Sequence, residues 1–191
     1  MSALPQEAPY YTYADYKEWE LDEGERFELL NGEAYAMAAP STRHQAILGE
    51  LFSQIHAHLR GKPCKVFPAP FDVRLFYKAD DSDDTVVQPD ISVICDKNKL
   101  APEGCRGAPD FIIEILSPSN TAIEMQLKME LYRQAGVKEY WIVDPENNTL
   151  TVYLLQGDII YTRNYKSTDT VTVNTLPGLS IALEEIFAND L

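Results

Sequence analysis

The sequence predicts an α/β (α+β) fold, a mixed β-sheet flanked by helices with additional antiparallel hairpins, and three observations carry that expectation. The middle of the chain runs strand, helix, strand, from 111-FIIEI-115 through a helical pattern at about 120–135 to 139-EYWIVD-144, an order that places a crossover helix beside strands of one sheet. Asn31-Gly32 between two apolar-rich runs marks a type I′ hairpin. The C-terminal third, 149-TLTVYLLQGDIIYTRNYK-166 and beyond, reads as strands joined by a Gly-Asp turn, with a final short helix near 182–187. With 191 residues, 45% of them hydrophobic, the chain suffices for one sizeable core. It is read as one domain, residues 1–191, without internal repeat or interdomain linker.

The elements follow in order. Residues 13–23 suggest a short helix. In the hairpin 26-RFELLNGEAYAM-37, the turn sets Leu30 opposite Glu33 and Glu28 opposite Tyr35. Strand alternation then places Glu28 and Glu33 on one face and Phe27, Leu29, Ala34 and Ala36 on the other, leaving open which face meets water. Residues 42–60 form an amphipathic helix with Ser41 or Thr42 as cap and Gly61 as stop. At about 100° per residue, Ile47, Leu48, Leu51, Phe52, Ile55 and Leu59 share a face that also carries His44. A lone histidine at a helix start is more often a structural hydrogen-bonder than a catalyst. Strands are expected at 65–76 and 86–95, separated by 79-ADDSDD-84, which reads as a solvated loop, and followed by a Gly- and Pro-containing loop at 96–109.

Composition narrows the function classes. A net charge of −14, from 30 acidic and 16 basic residues, argues against a broad phosphate-binding surface. Any nucleic-acid site must be local, with Arg43, Arg60, Lys62, Lys65 and Arg74 as the clustered cations, unless these are scattered surface charge. No apolar run approaches a membrane span, and the start, MSALPQEAPYYTY, lacks the basic segment and apolar stretch of a signal peptide; a cytoplasmic location is expected. Cys64, Cys95 and Cys105 lack paired metal-ligand spacing and fit reduced structural thiols.

The chemistry is suggested by three side chains. Glu114 sits in an apolar strand of the kind covered on both faces, and Asp90 is embedded in the apolar 86-VVQPDISVIC-95. Ionised carboxylates are rarely buried unless paired, hydrogen-bonded or bound to a metal, and two of them in a dry site repel unless a cation separates them. An all-oxygen donor set of this kind suits Mg²⁺. On the wheel of the helix at 120–135, Lys128 falls near the centre of the apolar arc, with Glu124 one turn earlier. Taken alone, Lys128 would pair with Glu124 at i, i+4 or extend to water. Taken with Asp90 and Glu114, it completes a minimal set for metal-assisted phosphodiester hydrolysis.

Pro89-Asp90, Glu114 and a following lysine resemble the PD-(D/E)XK nuclease superfamily. The blocks 27-FELLNGE-33, His44, 89-PDISVICD-96, 114-EILSPSN-120 and 131-LYRQAGVKEYWIVDP-145, taken in order, resemble more narrowly the Uma-two family of bacterial proteins classed as restriction endonucleases. The resemblance runs from about residue 10 to the C-terminus. It implies a restriction-endonuclease-like fold, DNA as substrate, and Mg²⁺ (or Mn²⁺) held by Asp90, Glu114 and the main-chain carbonyl of Ile115. The lysine expected two residues after the acid is absent, since Leu116 stands there, and Lys128 is the migrated replacement that the resemblance implies. Glu33, His44 and Glu124 match family positions as supporting residues, although an aspartate is expected where Glu124 stands. The leading expectation is a Mg²⁺-dependent endodeoxyribonuclease acting through Asp90, Glu114 and Lys128, as a homodimer. The alternatives are a catalytically degenerate nuclease-fold module for oligomerisation or partner binding, and hydrolysis of a smaller phosphate ester.

Overall fold

The structure, a computed structural model, describes residues 9–188, and the expectation about a signal peptide falls in part on residues 1–8, outside the described residues. The first part contains α1 (Tyr13–Tyr16), β1 (Phe27–Leu30), β2 (Glu33–Ala36), α2 (Thr42–Leu59), β3 (Lys65–Pro68), β4 (Val73–Arg74), β5 (Val86–Val87) and β6 (Ile91–Ile94). A 3₁₀ turn at Lys97–Lys99 leads into β7 (Leu100–Ala101), β8 (Gly104–Arg106), β9 (Phe111–Ile115) and α3 (Ala122–Ala135). The remainder comprises β10 (Glu139–Asp144), β11 (Thr149–Gln156), β12 (Ile159–Lys166), β13 (Thr170–Thr172), β14 (Ser180–Ala182) and α4 (Leu183–Phe187).

Two six-stranded sheets organise these elements, in the orders β12-β11-β10-β9-β6-β3 and β2-β1-β5-β4-β8-β7, with β13 and β14 as a separate pair. The mixed character expected from the strand, helix, strand run is present: β9 and β10 are parallel across α3, while β9 and β6 are antiparallel. β9 is apolar on both faces because both are covered. Phe111, Ile113 and Ile115 pack with Ile47, Leu51 and Ile55 of α2, whereas Ile112 joins Leu131 and Tyr132 of α3 and Leu30 of β1. Burying a side chain of this size stabilises the fold by roughly 1.5–3 kcal/mol.

Local chemistry sets the ends of the elements. The β1–β2 hairpin has the expected register, Leu30 opposite Glu33 and Glu28 opposite Tyr35, with Asn31 at φ 50° and Gly32 at φ 82° in its I′ turn. Ser41 Oγ accepts the His44 amide at 3.1 Å and starts α2. Thr121 Oγ1 accepts the Glu124 amide at 3.1 Å at the start of α3, which ends at Gly136 in the left-handed region.

Several expectations are corrected. The strand expected over 65–76 divides at Ala69-Pro70 into β3 and β4, which belong to different sheets. The strand expected over 86–95 divides in the same way, because Pro89 has no amide to donate and the Gln88 amide goes to Glu28 Oε1 at 2.8 Å instead of to a ladder. Asp90 therefore stands at the mouth of β6 and not inside a strand. The helix expected over 13–23 is confined to Tyr13–Tyr16, and the loop at 96–109 contains the β7–β8 hairpin. The acidic run 79–84 is not simply solvated: Asp83 is fully buried and grips Arg74 at 2.9 and 2.5 Å. Arg74 is thereby also removed from the expected cationic cluster. Finally, Cys64 and Cys95 are joined in a disulfide and are not reduced thiols; the pairing of Lys65 with Ile94 sets the two cysteines opposite each other at the strand ends. Cys105 is free and buried, as expected.

Candidate active site

Glu114 lies one residue from the C-terminal end of β9, on the face beneath α3, beside Ile142 of β10. The strand alternation that turns Ile113 and Ile115 toward α2 turns Glu114 the other way. There it meets two side chains spaced i, i+4 on α3. Lys128 Nζ donates to Glu114 Oε1 at 2.9 Å, and Tyr132 Oη donates to the same oxygen at 2.6 Å. Lys128 points inward and is 3% exposed. Its partners are not Glu124, one turn away, but Glu114 and Glu28, whose Oε2 lies 2.7 Å from Nζ. Glu28 is held in turn by the Gln88 amide.

Asp90 approaches from the other side of β9. Its Oδ2 accepts the Ile115 amide at 2.7 Å and lies 3.2 Å from His44 Nε2. The main chain of β9 is thus the bridge between the two acids: residue 114 contributes a carboxylate, and residue 115 contributes the amide that fixes Asp90. Asp90, Glu114, Ile115, Lys128 and His44 all line one cavity, with Glu28 and Glu124 also in its wall. Glu124 is half-buried there, its Oε1 accepting from Asn120 Nδ2 at 3.3 Å. Glu33 does not join them. It is exposed beyond the turn of the hairpin, where Tyr35 Oη donates to it at 3.1 Å.

Residues 13–184 match the Uma2 family, whose description reads "Putative restriction endonuclease". The chain belongs to the Uma2 family. An uncharacterized protein of Synechocystis sp., slr1290, is 25% identical over 181 residues, 94% of this chain and 92% of that protein. A second from the same organism, sll1609, is 25% identical over 150 residues, 77% of this chain and 82% of that protein. Among solved structures, one titled a "putative nuclease belonging to DUF820" from Anabaena variabilis superposes with a TM-score of 0.74 over 93% of this chain and 98% of that one. At 22% sequence identity, that likeness shows a shared fold.

The electrostatics of this Uma2 site follow from one ammonium serving two buried carboxylates. Burial works against the charge on Lys128, but Glu114 and Glu28 outweigh it and hold its pKa above the usual lysine value. Burial raises the pKa of Glu114; Lys128 and the Tyr132 hydroxyl oppose the rise, while Glu28 and Asp90 add to it. For His44, burial pulls the pKa down, but the hydrogen bond and charge of Asp90 lead a set of neighbours that leave it raised. With its Nε2 3.2 Å from Asp90 Oδ2, His44 orients that carboxylate.

The donor set can be tested against a divalent cation. Among the described residues, no group of three or more His, Cys, Asp and Glu side chains is placed to cage a metal. Mg²⁺ does not need such a cage, since it is commonly held by one or two carboxylates with waters and substrate phosphate completing the octahedron. Lys128 and Tyr132 occupy only Oε1 of Glu114, and Ile115 and His44 occupy only Oδ2 of Asp90. Glu114 Oε2 and Asp90 Oδ1 accept no hydrogen bond from the described residues, and both side chains line the cavity. Two carboxylate oxygens without partners among the described residues, with Ile115 lining the same cavity, fit a Mg²⁺ ion.

Sequence reasoning missed two residues of this cluster. Glu28 was already set on one face of the hairpin by the turn, but nothing local showed that this face is covered by α3. Tyr132 falls among the apolar residues of the α3 wheel, but its hydroxyl lies one turn beyond Lys128 and, once buried, requires a partner.

Proposed function

We propose that this chain is a divalent-metal-dependent endonuclease that hydrolyses DNA phosphodiester bonds, with Asp90, Glu114 and Lys128 as its catalytic residues. The observation that carries the reading is the convergence in one cavity of two carboxylates, each with one oxygen unpartnered among the described residues, and a buried lysine. They come from three separate segments of the chain. The family description and the nuclease title of the structural relative are in line with it.

Bound by Asp90, Glu114 and the Ile115 carbonyl, Mg²⁺ would supply Lewis-acid polarisation of the phosphodiester and a more acidic water. The protein's own contribution is positioning and charge. Tyr132 and Lys128 fix one oxygen of Glu114 and leave the other without a partner among the described residues. The Ile115 amide and His44 do the same for Asp90. Lys128, held cationic by two carboxylates, lines the cavity where it can orient a water or stabilise charge building on the phosphate. The same reading includes a cytoplasmic homodimer, in which two copies address two strands. Sedimentation at the mass of one 21.6 kDa chain would remove the dimer from it. Among the described residues, no helix is long and apolar enough to cross a membrane.

The test is cleavage of supercoiled and single-stranded DNA with Mg²⁺ or Mn²⁺, alongside Glu114→Ala and an EDTA control. The expected result is cutting that needs both metal and Glu114. No cutting of any substrate while metal still binds would favour the degenerate module, in which the cluster serves oligomerisation or partner binding.

A further inference from the structure

An acidic cavity that takes a polyanion needs a cation to meet it, and the clustered cations apparent in the sequence do not supply one. Arg60, Lys62 and Lys65 do not line the cavity, and Arg74 is buried against Asp83. Arg43 is directed to the Pro145 carbonyl at 3.1 Å and Asn148 Oδ1 at 2.7 Å. Within the cavity wall, Lys128 is held by two glutamates and His44 by Asp90.

The remaining cation in that wall is Arg26. Its position follows from the hairpin. The Met37 amide donates to the Arg26 carbonyl at 2.8 Å, which extends the β1–β2 ladder by one rung and keeps Arg26 in register. Two residues before Glu28, it projects from the same face of the strand, about 7 Å along it. Arg26, Glu28, Tyr35 and Met37 thus form one panel of the wall. Among the described residues, no hydrogen bond or ion pair engages the Arg26 guanidinium. Its neighbour on the panel, Glu28, is already occupied, Oε1 by the Gln88 amide and Oε2 by Lys128. A half-buried guanidinium without a partner, in a wall that also contains Asp90, Glu114 and Glu124, is placed to receive an anion from outside.

We propose that Arg26 binds a phosphodiester group of the nucleic-acid substrate at the cavity wall; the proposal rests on the nuclease reading above. The guanidinium fork matches two phosphate oxygens, and its positive charge offsets the carboxylates that would otherwise repel the incoming strand. This makes Arg26 a binding residue for the substrate backbone and assigns it no part in bond breaking.

The test uses the full chain in EDTA, so that nothing is cut, with fluorescein-labelled single-stranded and duplex oligonucleotides followed by anisotropy across a salt series. Arg26→Gln is expected to weaken binding about tenfold at low salt and to flatten the log–log salt slope by about one. Arg26→Lys is expected to keep the slope while losing part of the affinity. Arg163→Gln, an exposed change on β12, is expected to leave both unchanged. A structural role for Arg26 would lower melting temperature without changing the slope. In the unaltered chain, the Arg26 Nε–H resonance should shift as oligonucleotide is added. Wild-type binding with an unchanged Arg26→Gln slope overturns the Arg26 assignment alone. No wild-type binding to either form, in EDTA and again with Ca²⁺ in its place, overturns the assignment together with the nuclease reading.

Discussion

Arg74 and Lys128 are both buried cations, each 3% exposed, but their surroundings are balanced differently. Arg74 meets Asp83 through two oxygens and Asp81 at 2.9 Å, Lys17 takes the other oxygen of Asp81 at 2.8 Å, and the guanidinium lies 3.7 Å above the Tyr13 ring. Two cations face two anions there, and the cluster is closed. Around Lys128, one ammonium serves Glu28 and Glu114, and Asp90 adds a third carboxylate shared with His44. Two oxygens remain without partners among the described residues, on side chains that line a cavity. Charge burial alone therefore does not mark a functional site. An anionic surplus on side chains that line a cavity is what the proposed function rests on.

The largest loss of stability is expected at the closed Arg74 cluster. Arg74→Leu strands the fully buried Asp83, and removing one partner of a buried pair costs about 3–5 kcal/mol. Urea unfolding should show a loss of that size, with cleavage per folded molecule unchanged. A loss below about 1 kcal/mol would mean that the Arg74 cluster contributes little to stability.

On the open side, the large effect should fall on chemistry. Lys128→Ala is expected to reduce cleavage by about 10²–10³-fold or more, on the scale of a lost electrostatic stabiliser. Its cost in stability should be of the same order as that of Arg74→Leu, because it leaves Glu28 and Glu114 buried without their cation, offset in part where Glu114, whose pKa burial already raises, takes up a proton. Cleavage near the wild-type rate in this variant would remove Lys128 from the site. Tyr132→Phe deletes one hydrogen bond to Glu114 and keeps the ring. Chemical denaturation should report about 0.5–1.5 kcal/mol, and a plasmid-nicking assay should report up to about a tenfold loss of rate.

Which parts of this were legible in the sequence depends on the range of the interaction. Asn31-Gly32 fixed the hairpin register within four residues, and the wheel aimed Lys128 inward, because both signals are local. The partner of Lys128 was not legible: Glu28 lies a hundred positions earlier, and the burial of its face depends on α3 packing across it. Asp83 looked solvated within an acidic run, since only the fold brings Arg74 onto it. Cys64 and Cys95 looked independent until the pairing of β3 with β6 set them opposite each other. The apolar run on both sides of Pro89 read as one strand over 86–95, which concealed that Asp90 stands at a strand mouth.

The smallest expected effect concerns Cys105, in the sheet that carries Arg74. Burial pushes its thiol up to about 11, above the ordinary cysteine value of about 8.5. A raised acid pKa means that the stabilising contribution is complete below the unfolded value and is lost as pH rises through the folded one. Iodoacetamide at pH 8 should therefore leave Cys105 unmodified in the native chain and label it after unfolding, as peptide mass mapping would show. Rapid native labelling would contradict the closed packing of that region.

In the proposed function, the oxygens of Asp90 and Glu114 that have no partner among the described residues hold the cation that cleavage requires. This is tested most directly by Mn²⁺ paramagnetic resonance and plasmid nicking, measured on the same samples of wild type and Glu114→Gln. The account expects bound Mn²⁺ and metal-dependent nicking in the wild type, with both lost together in the variant. Nicking that survives EDTA, or Mn²⁺ binding and nicking unchanged by Glu114→Gln, would contradict it.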